Sequence, residues 1–145
     1  MHPHANDSKG CLLLVDDDEY AIKSLARSLR SSCVQVFTAL NGEEALKILA
    51  TQAVDVIVAD SLLPPITGIE LFRRAKNLFP EIKTVLLSGQ SDSIDISQAE
   101  REQILQTCLA KPWDSDELVA TIREAVASSL QRKRARLAFG RDVMQ

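Results

Sequence analysis

The chain has 145 residues, 46% of them hydrophobic and 26% charged, which is room for one packed domain and little more. Its net charge of −3 hides an asymmetry: residues 131–145 carry five basic residues (Arg132, Lys133, Arg134, Arg136, Arg141) against one acidic (Asp142), so the rest carries −7. An acidic body argues against nucleic-acid binding, and no run approaches the roughly 20 apolar residues of a membrane span.

Short apolar runs alternate with helical patterns along the chain. Cys11–Val15 reads as a strand buried on both faces, and Ile22, Leu25, Ala26 and Leu29 recur at helical spacing between Glu19 and Arg30. Val34–Ala39 is a second strand. Asn41 then caps a helix whose first turn carries Glu43 and Glu44, where the helix dipole favours negative charge. Val54–Ala59 is the third strand, Ile66–Leu78 a helix, and Lys83–Leu87 the fourth strand. Ser91–Arg101 is a helix of poor helix-forming sequence, and Thr107–Ala110 the fifth strand. Asp114 opens a long last helix with an Asp-x-x-Glu box to Glu117. Its apolar stripe is Leu118, Ile122, Ala125, Val126 and Leu130.

Five β-α units predict an α/β domain, a doubly wound parallel sheet covered on both faces. In such sheets the working site lies at the carboxyl ends of the strands, where the winding reverses. The polar residues that stand out all follow strands: Asp16 and Asp17 the first, Asp60 the third, Ser88 the fourth, Lys111 the fifth. Asp18 reads as a helix cap. His2 and His4 fall in the polar stretch Met1–Gly10, which is not a signal peptide. Cys11, Cys33 and Cys108 form no Cys-x-x-Cys pair, and their odd number suits buried thiols in a reducing compartment. A cytoplasmic location is expected.

Clustered carboxylates repel and raise one another's pKa, and a hard divalent cation relieves them. Asp17 and Asp60 could ligate Mg²⁺ or Mn²⁺ directly, Asp16 through water, and the backbone carbonyl of Leu62 could add a ligand. Lys111 supplies a fixed second positive charge. Asp60 would then be a nucleophile toward phosphorus, with metal and Lys111 neutralising the transferring group. The Ser88 hydroxyl can donate to a phosphoryl oxygen, Gly89 permits close approach, Pro64 stiffens the loop after Asp60, and Gly68 stands where a side chain would interfere.

In this order the motifs resemble those of response-regulator receiver domains of two-component signalling: Leu13-Leu14-Val15-Asp16-Asp17-Asp18, then Asp60-x-x-Leu63-Pro64-x-x-x-Gly68, then Leu86-Leu87-Ser88-Gly89, then Lys111-Pro112-Trp113. The resemblance implies a flavodoxin-like sheet of strand order 2-1-3-4-5. It makes Asp60 the phosphoacceptor, Asp16 and Asp17 the acidic metal pocket, Ser88 the switch hydroxyl and Lys111 the phosphate-sensing ammonium. A sensor histidine kinase or phosphotransfer protein would be the donor. An output partner or effector domain would be the target, and a homodimer through the fourth helix, fifth strand and fifth helix is an arrangement the family allows. Membrane and nucleic acid are not expected partners. The Lys-Pro-Trp ending resembles receivers attached to cyclic-nucleotide-phosphodiesterase or hybrid-kinase modules.

The chain departs from the family at two positions. Leu63 stands where methionine is frequent, and Cys108 stands where the family usually has Tyr or Phe, so the ring that usually changes orientation on activation is replaced by a thiol. Two other functions compete with a signalling receiver that catalyses only its own phosphorylation and dephosphorylation. A phosphohydrolase with an aspartyl-phosphate intermediate usually needs a second carboxylate two residues on, where Leu62 sits. A receiver-like module that never takes phosphate has Cys108 as its only hint. The expected organisation is a tail at 1–10, a receiver domain at 11–130 and a basic helical extension or linker at 131–145.

Overall fold

The computed structural model describes residues 10–30, 34–89, 93–110 and 114–144, with side chains left undescribed for 93–95 and 138–144. Among the described residues, the five strands of the main sheet alternate with five helices: β1 (Gly10–Val15), α1 (Glu19–Arg30), β2 (Val34–Ala39), α2 (Gly42–Thr51), β3 (Val56–Asp60), α3 (Gly68–Leu78), β4 (Lys83–Ser88), α4 (Ser93–Arg101), β5 (Thr107–Ala110) and α5 (Ser115–Met144), with a two-residue antiparallel pair between β3 and α3. The strands form one sheet, all parallel, in the order β2-β1-β3-β4-β5.

Alternation along each strand builds two cores. Leu13, Val15, Ile57, Ala59 and Leu86 face α2, α3 and α4, where Phe72 and Leu71 are fully buried. Leu12, Leu14, Val56, Val58 and Val85 face α1 and α5, against Leu29, Leu118 and Ile122. The strands therefore read as continuous apolar runs, as strands buried on both faces must. Burying each such Leu, Ile or Phe is worth about 1.5–3 kcal/mol, so these layers hold the sheet.

Local signals set the helix starts. The Asp18 carboxylate accepts the N–H groups of Tyr20 and Ala21, each at 3.1 Å, and so caps α1. Asn41 accepts the Glu44 N–H at 2.9 Å, and Asp114 that of Asp116 at 2.8 Å. Thr67 caps α3 through the Glu70 N–H at 3.0 Å. That cap corrects the expected start at Ile66: Ile66 and Thr67 are extended and pair antiparallel with Leu63 and Leu62, and the helix begins at Gly68. The Pro64–Pro65 bond between them is cis. The third strand is likewise shifted, running Val56–Asp60 rather than Val54–Ala59. Asp60 is thus its last residue, paired in register with Leu87 of β4.

α5 is continuous for 30 residues, from Ser115 to Met144. Its packed face runs Leu118, Ile122, Val126, Ser129 and then turns basic at Lys133 and Arg136. Among the described residues, no helix is long and apolar enough to cross a membrane.

Candidate functional site

β1 and β3 are neighbours, with Val15 opposite Ala59, so the residues that follow them meet at one end of the sheet. Asp16, Asp17 and Asp60 each place a carboxylate oxygen within 4.8 Å of the other two. Asp60 is buried, with 7% of its surface exposed, whereas Asp17 is exposed. The Asp16 N–H bonds to the Ala39 carbonyl at 3.1 Å, and its carboxylate accepts the Asp18 N–H at 3.0 Å. Asp60 Oδ1 accepts the Leu62 N–H at 3.3 Å. The loop is further tied by Ser61 N–H to the Leu87 carbonyl and Gly68 N–H to the Ser61 carbonyl, both at 3.0 Å. Asp18, as expected, serves as a cap.

Gly68 shows why glycine stands there. A Cβ at that position would lie 2.3 Å from the backbone oxygen of Asp60 and 3.0 Å from a Leu86 methyl. Backbone cannot yield as a flexible side chain can, so any side chain at 68 would displace the carboxylate-bearing turn. At Gly89 a Cβ would meet nothing within 4 Å among the described residues.

Ser88 ends β4, buried at 2% exposure, and its hydroxyl donates to the Gly89 carbonyl at 2.7 Å. It lies in register with Ala110, the last residue of β5. Lys111, which follows, lies outside the described residues, as do Pro112, Trp113, Cys33, His2, His4 and the expected helix start at Ser91. The Leu62 side chain is 65% exposed, in the turn just beyond Asp60. Cys108 is half-buried and packs against the core beneath α4.

A divalent cation fits this donor set. The three carboxylates offer hard oxygen atoms at close range, and Asp17 is exposed, so retained waters can complete the shell on its side.

One carboxylate escaped the sequence reading. Asp55, 4% exposed, sits just before β3 at the opposite end from Asp60. It accepts the Cys11 N–H at 2.8 Å and the Ser129 hydroxyl at 3.5 Å, and it pairs with Lys133 at 2.5 Å. Its backbone extends the sheet, bonding Cys11 and Lys83. The signal was an acid inside an apolar run together with a basic continuation of the α5 stripe. Burial, reinforced by the Asp55 charge against the opposing pull of Lys133, pushes the Cys11 thiol up to about 11.

An open parallel α/β sheet with its acidic cluster at the strand ends defines a switch-point protein. The chain belongs to the response regulator receiver domain family, whose model matches residues 12–123. The hydrogenase transcriptional regulatory protein HoxA of Cupriavidus necator is 35% identical over 133 residues, covering 91% of this chain and 27% of that protein. Sporulation initiation phosphotransferase F of Bacillus subtilis is 32% identical, covering 83% of this chain and 94% of that one. The signal receiver domain of an HD domain-containing protein from Pseudomonas fluorescens superposes with a TM-score of 0.78 at 28% identity, covering 87% of this chain and 93% of that one. The chain spans about a quarter of the length of HoxA and NtrC, the transcriptional regulators among its relatives. Receiver domains are signalling modules, and the chain is one of them. The proteins it resembles include both a DNA-binding transcriptional regulator, NtrC of Escherichia coli, and the receiver of an HD domain-containing protein.

Proposed function

We propose that the chain takes a phosphoryl group on Asp60 from a phosphohistidine of a sensor kinase or phosphotransfer protein, and that the aspartyl phosphate switches a protein-binding surface. The observation that carries this reading is the buried Asp60 carboxylate, at the end of the central strand and within 4.8 Å of two others. A carboxylate oxygen attacks phosphorus as the bond to the donor nitrogen breaks, leaving the imidazole and a mixed anhydride on Asp60. Asp16, Asp17, Asp60 and the Leu62 carbonyl would hold Mg²⁺ or Mn²⁺, which when bound supplies positive charge to the oxygens of the transferring group. The Ser88 hydroxyl would turn from the Gly89 carbonyl toward a phosphoryl oxygen, and Lys111 would add the second fixed charge. The loop at 61–67 shields the anhydride.

The proposed output face is α4, β5 and α5. Among the described side chains of α4 only Ala99 is buried, so this helix is lightly held and easily biased. The same face would serve a homodimer. The receiver unit would be residues 11–130, with 131–145 an extension that stays helical and touches the base of the sheet. A cytoplasmic setting suits a kinase-fed receiver.

The test is intact mass after treatment with acetyl phosphate and Mg²⁺. Wild type should gain one phosphoryl group and Asp60→Asn none; equal gain in both would sink the assignment, and no gain in either would favour a phosphorylation-independent module. Steady release of phosphate over many turnovers would favour a phosphohydrolase.

A further inference from the structure

The end of the sheet opposite the acidic cluster carries a second group of charges with the reverse sign. A cavity of about 200 Å³ opens there between α5 and the loop before β4. At roughly 30 Å³ per water, that is room for six or seven waters. One wall is apolar, formed by Val54, Phe79 and Ile82, and the other carries Arg132, Lys133 and Arg136. Phe79 is 43% exposed, an aromatic ring left partly uncovered.

The three cations are not equivalent. Lys133 is held by Asp55, and Arg136 is paired through both guanidinium ends with Glu81. The two carboxylates of the cavity are therefore already neutralised. Arg132 has no carboxylate partner among the described residues. Near it stand Lys76 and Lys83, whose pKa values are lowered first by partial burial and then by neighbouring cations, Arg132 among them. The cavity's cations, Arg132, Lys133 and Arg136, outnumber its carboxylates, Asp55 and Glu81, and Glu81 is shared between Arg136 and the field of Arg132, so the excess positive charge is stabilised when an anion arrives. A planar guanidinium is the side chain best suited to a phosphate.

We propose that this pole is a binding site for a small ligand with a flat apolar body and a phosphate group, of which a mononucleotide is the type. The phosphate lies on Arg132 at the edge where Lys76 and Lys83 add to the field, and the flat body lies against Phe79, Val54 and Ile82. The site is some five residues along β3 from Asp60 and does not depend on phosphorylation there.

The experiment is an amide-shift titration of the full chain, without divalent cations, using AMP, adenosine and inorganic pyrophosphate as probes. AMP is expected to move amides in 52–55, 79–83 and 129–136. Adenosine, without the charge, and pyrophosphate, without the ring, are each expected to bind several-fold more weakly. Arg132→Ala should weaken AMP roughly tenfold by removing charge-assisted hydrogen bonds. Arg132 is exposed, so the variant keeps its fold, which its unchanged spectrum away from the site will show. The proposal is overturned if millimolar AMP moves no amides at this pole, or if Arg132→Ala binds AMP as wild type does. Pyrophosphate binding as tightly as AMP overturns the apolar half of the site.

Discussion

Neutralising the candidate phosphoacceptor should stabilise the protein when divalent cations are absent. Asp60→Asn preserves shape, and its Oδ1 can still accept the Leu62 N–H. What it removes is one of three negative charges whose oxygens lie within 4.8 Å of each other. At that separation two unit charges repel by about 0.9 kcal/mol in bulk water and about 3.5 kcal/mol at an effective dielectric constant near 20. Asp17 is exposed, which places its repulsion with Asp60 near the lower figure; Asp16 is half-buried and its repulsion lies higher. Asp60 also has interactions beyond these, which temper the gain. The expected net gain is about 1–2 kcal/mol, or about 3–6 °C in Tm for a domain of this size.

Calorimetry in EDTA at low salt measures this directly. Mg²⁺ should then reverse the order: at about a hundred times its Kd a ligand adds about 2.7 kcal/mol to the state that binds it, and the variant has lost a ligand. The reasoning fails if Asp60→Asn is no more stable than wild type in EDTA. It fails also if Mg²⁺ raises both Tm values equally, because the three carboxylates would then not share a cation.

Further outcomes follow from the same structure. Lys133→Met should cost more than Asp55→Asn in urea unfolding, because it strands a charge that is 3% exposed; breaking a buried pair costs about 3–5 kcal/mol, reduced here to about 1–3 since Lys133 is itself half exposed, and the reverse order would contradict the pairing. Because the folded Cys11 thiol titrates near 11, above its ordinary value of 9.0, it contributes stability that is whole below pH 9 and lost as pH rises toward 11. That contribution is at most roughly 2.7 kcal/mol, and Cys11→Ala should flatten this alkaline limb; an unchanged limb would refute the assignment. With a beryllofluoride phosphate mimic, amide exchange should change most in 61–68 and 88–101 and least around Cys108, and strong change centred on 107–110 alone would restore a coupling role to that position.

The sheet was legible because both faces are covered. Strands buried on two sides must be apolar throughout, and runs such as Leu12-Leu13-Leu14-Val15 admit few other readings. The ends of elements were less legible, since local hydrogen bonds decide them. Thr67 competes for the α3 cap, and two extended residues pair with Leu62 and Leu63 before the helix can start. The acidic site was readable from Asp16, Asp17 and Asp60 because parallel topology brings the ends of β1 and β3 together whatever the loops do. The base of the sheet was not readable. Its contacts join Asp55 to Lys133 and Glu81 to Arg136, separations of 78 and 55 residues that no local pattern encodes.

Asp55 and Asp60 show why burial alone does not make a carboxylate functional. They flank the same strand five residues apart, and both are buried. Asp55 receives an N–H, a hydroxyl and an ammonium, so its charge is met and it has no reason to react or to bind a metal. Asp60 receives an N–H from its own loop and faces two further carboxylates. The first arrangement is complete within the protein, and its removal is a stability event. The second gathers three carboxylates at close range, a donor set that suits a divalent cation. The sign of the neighbours, set by which strand ends and helix turns the topology brings together, separates the structural aspartate from the candidate phosphoacceptor.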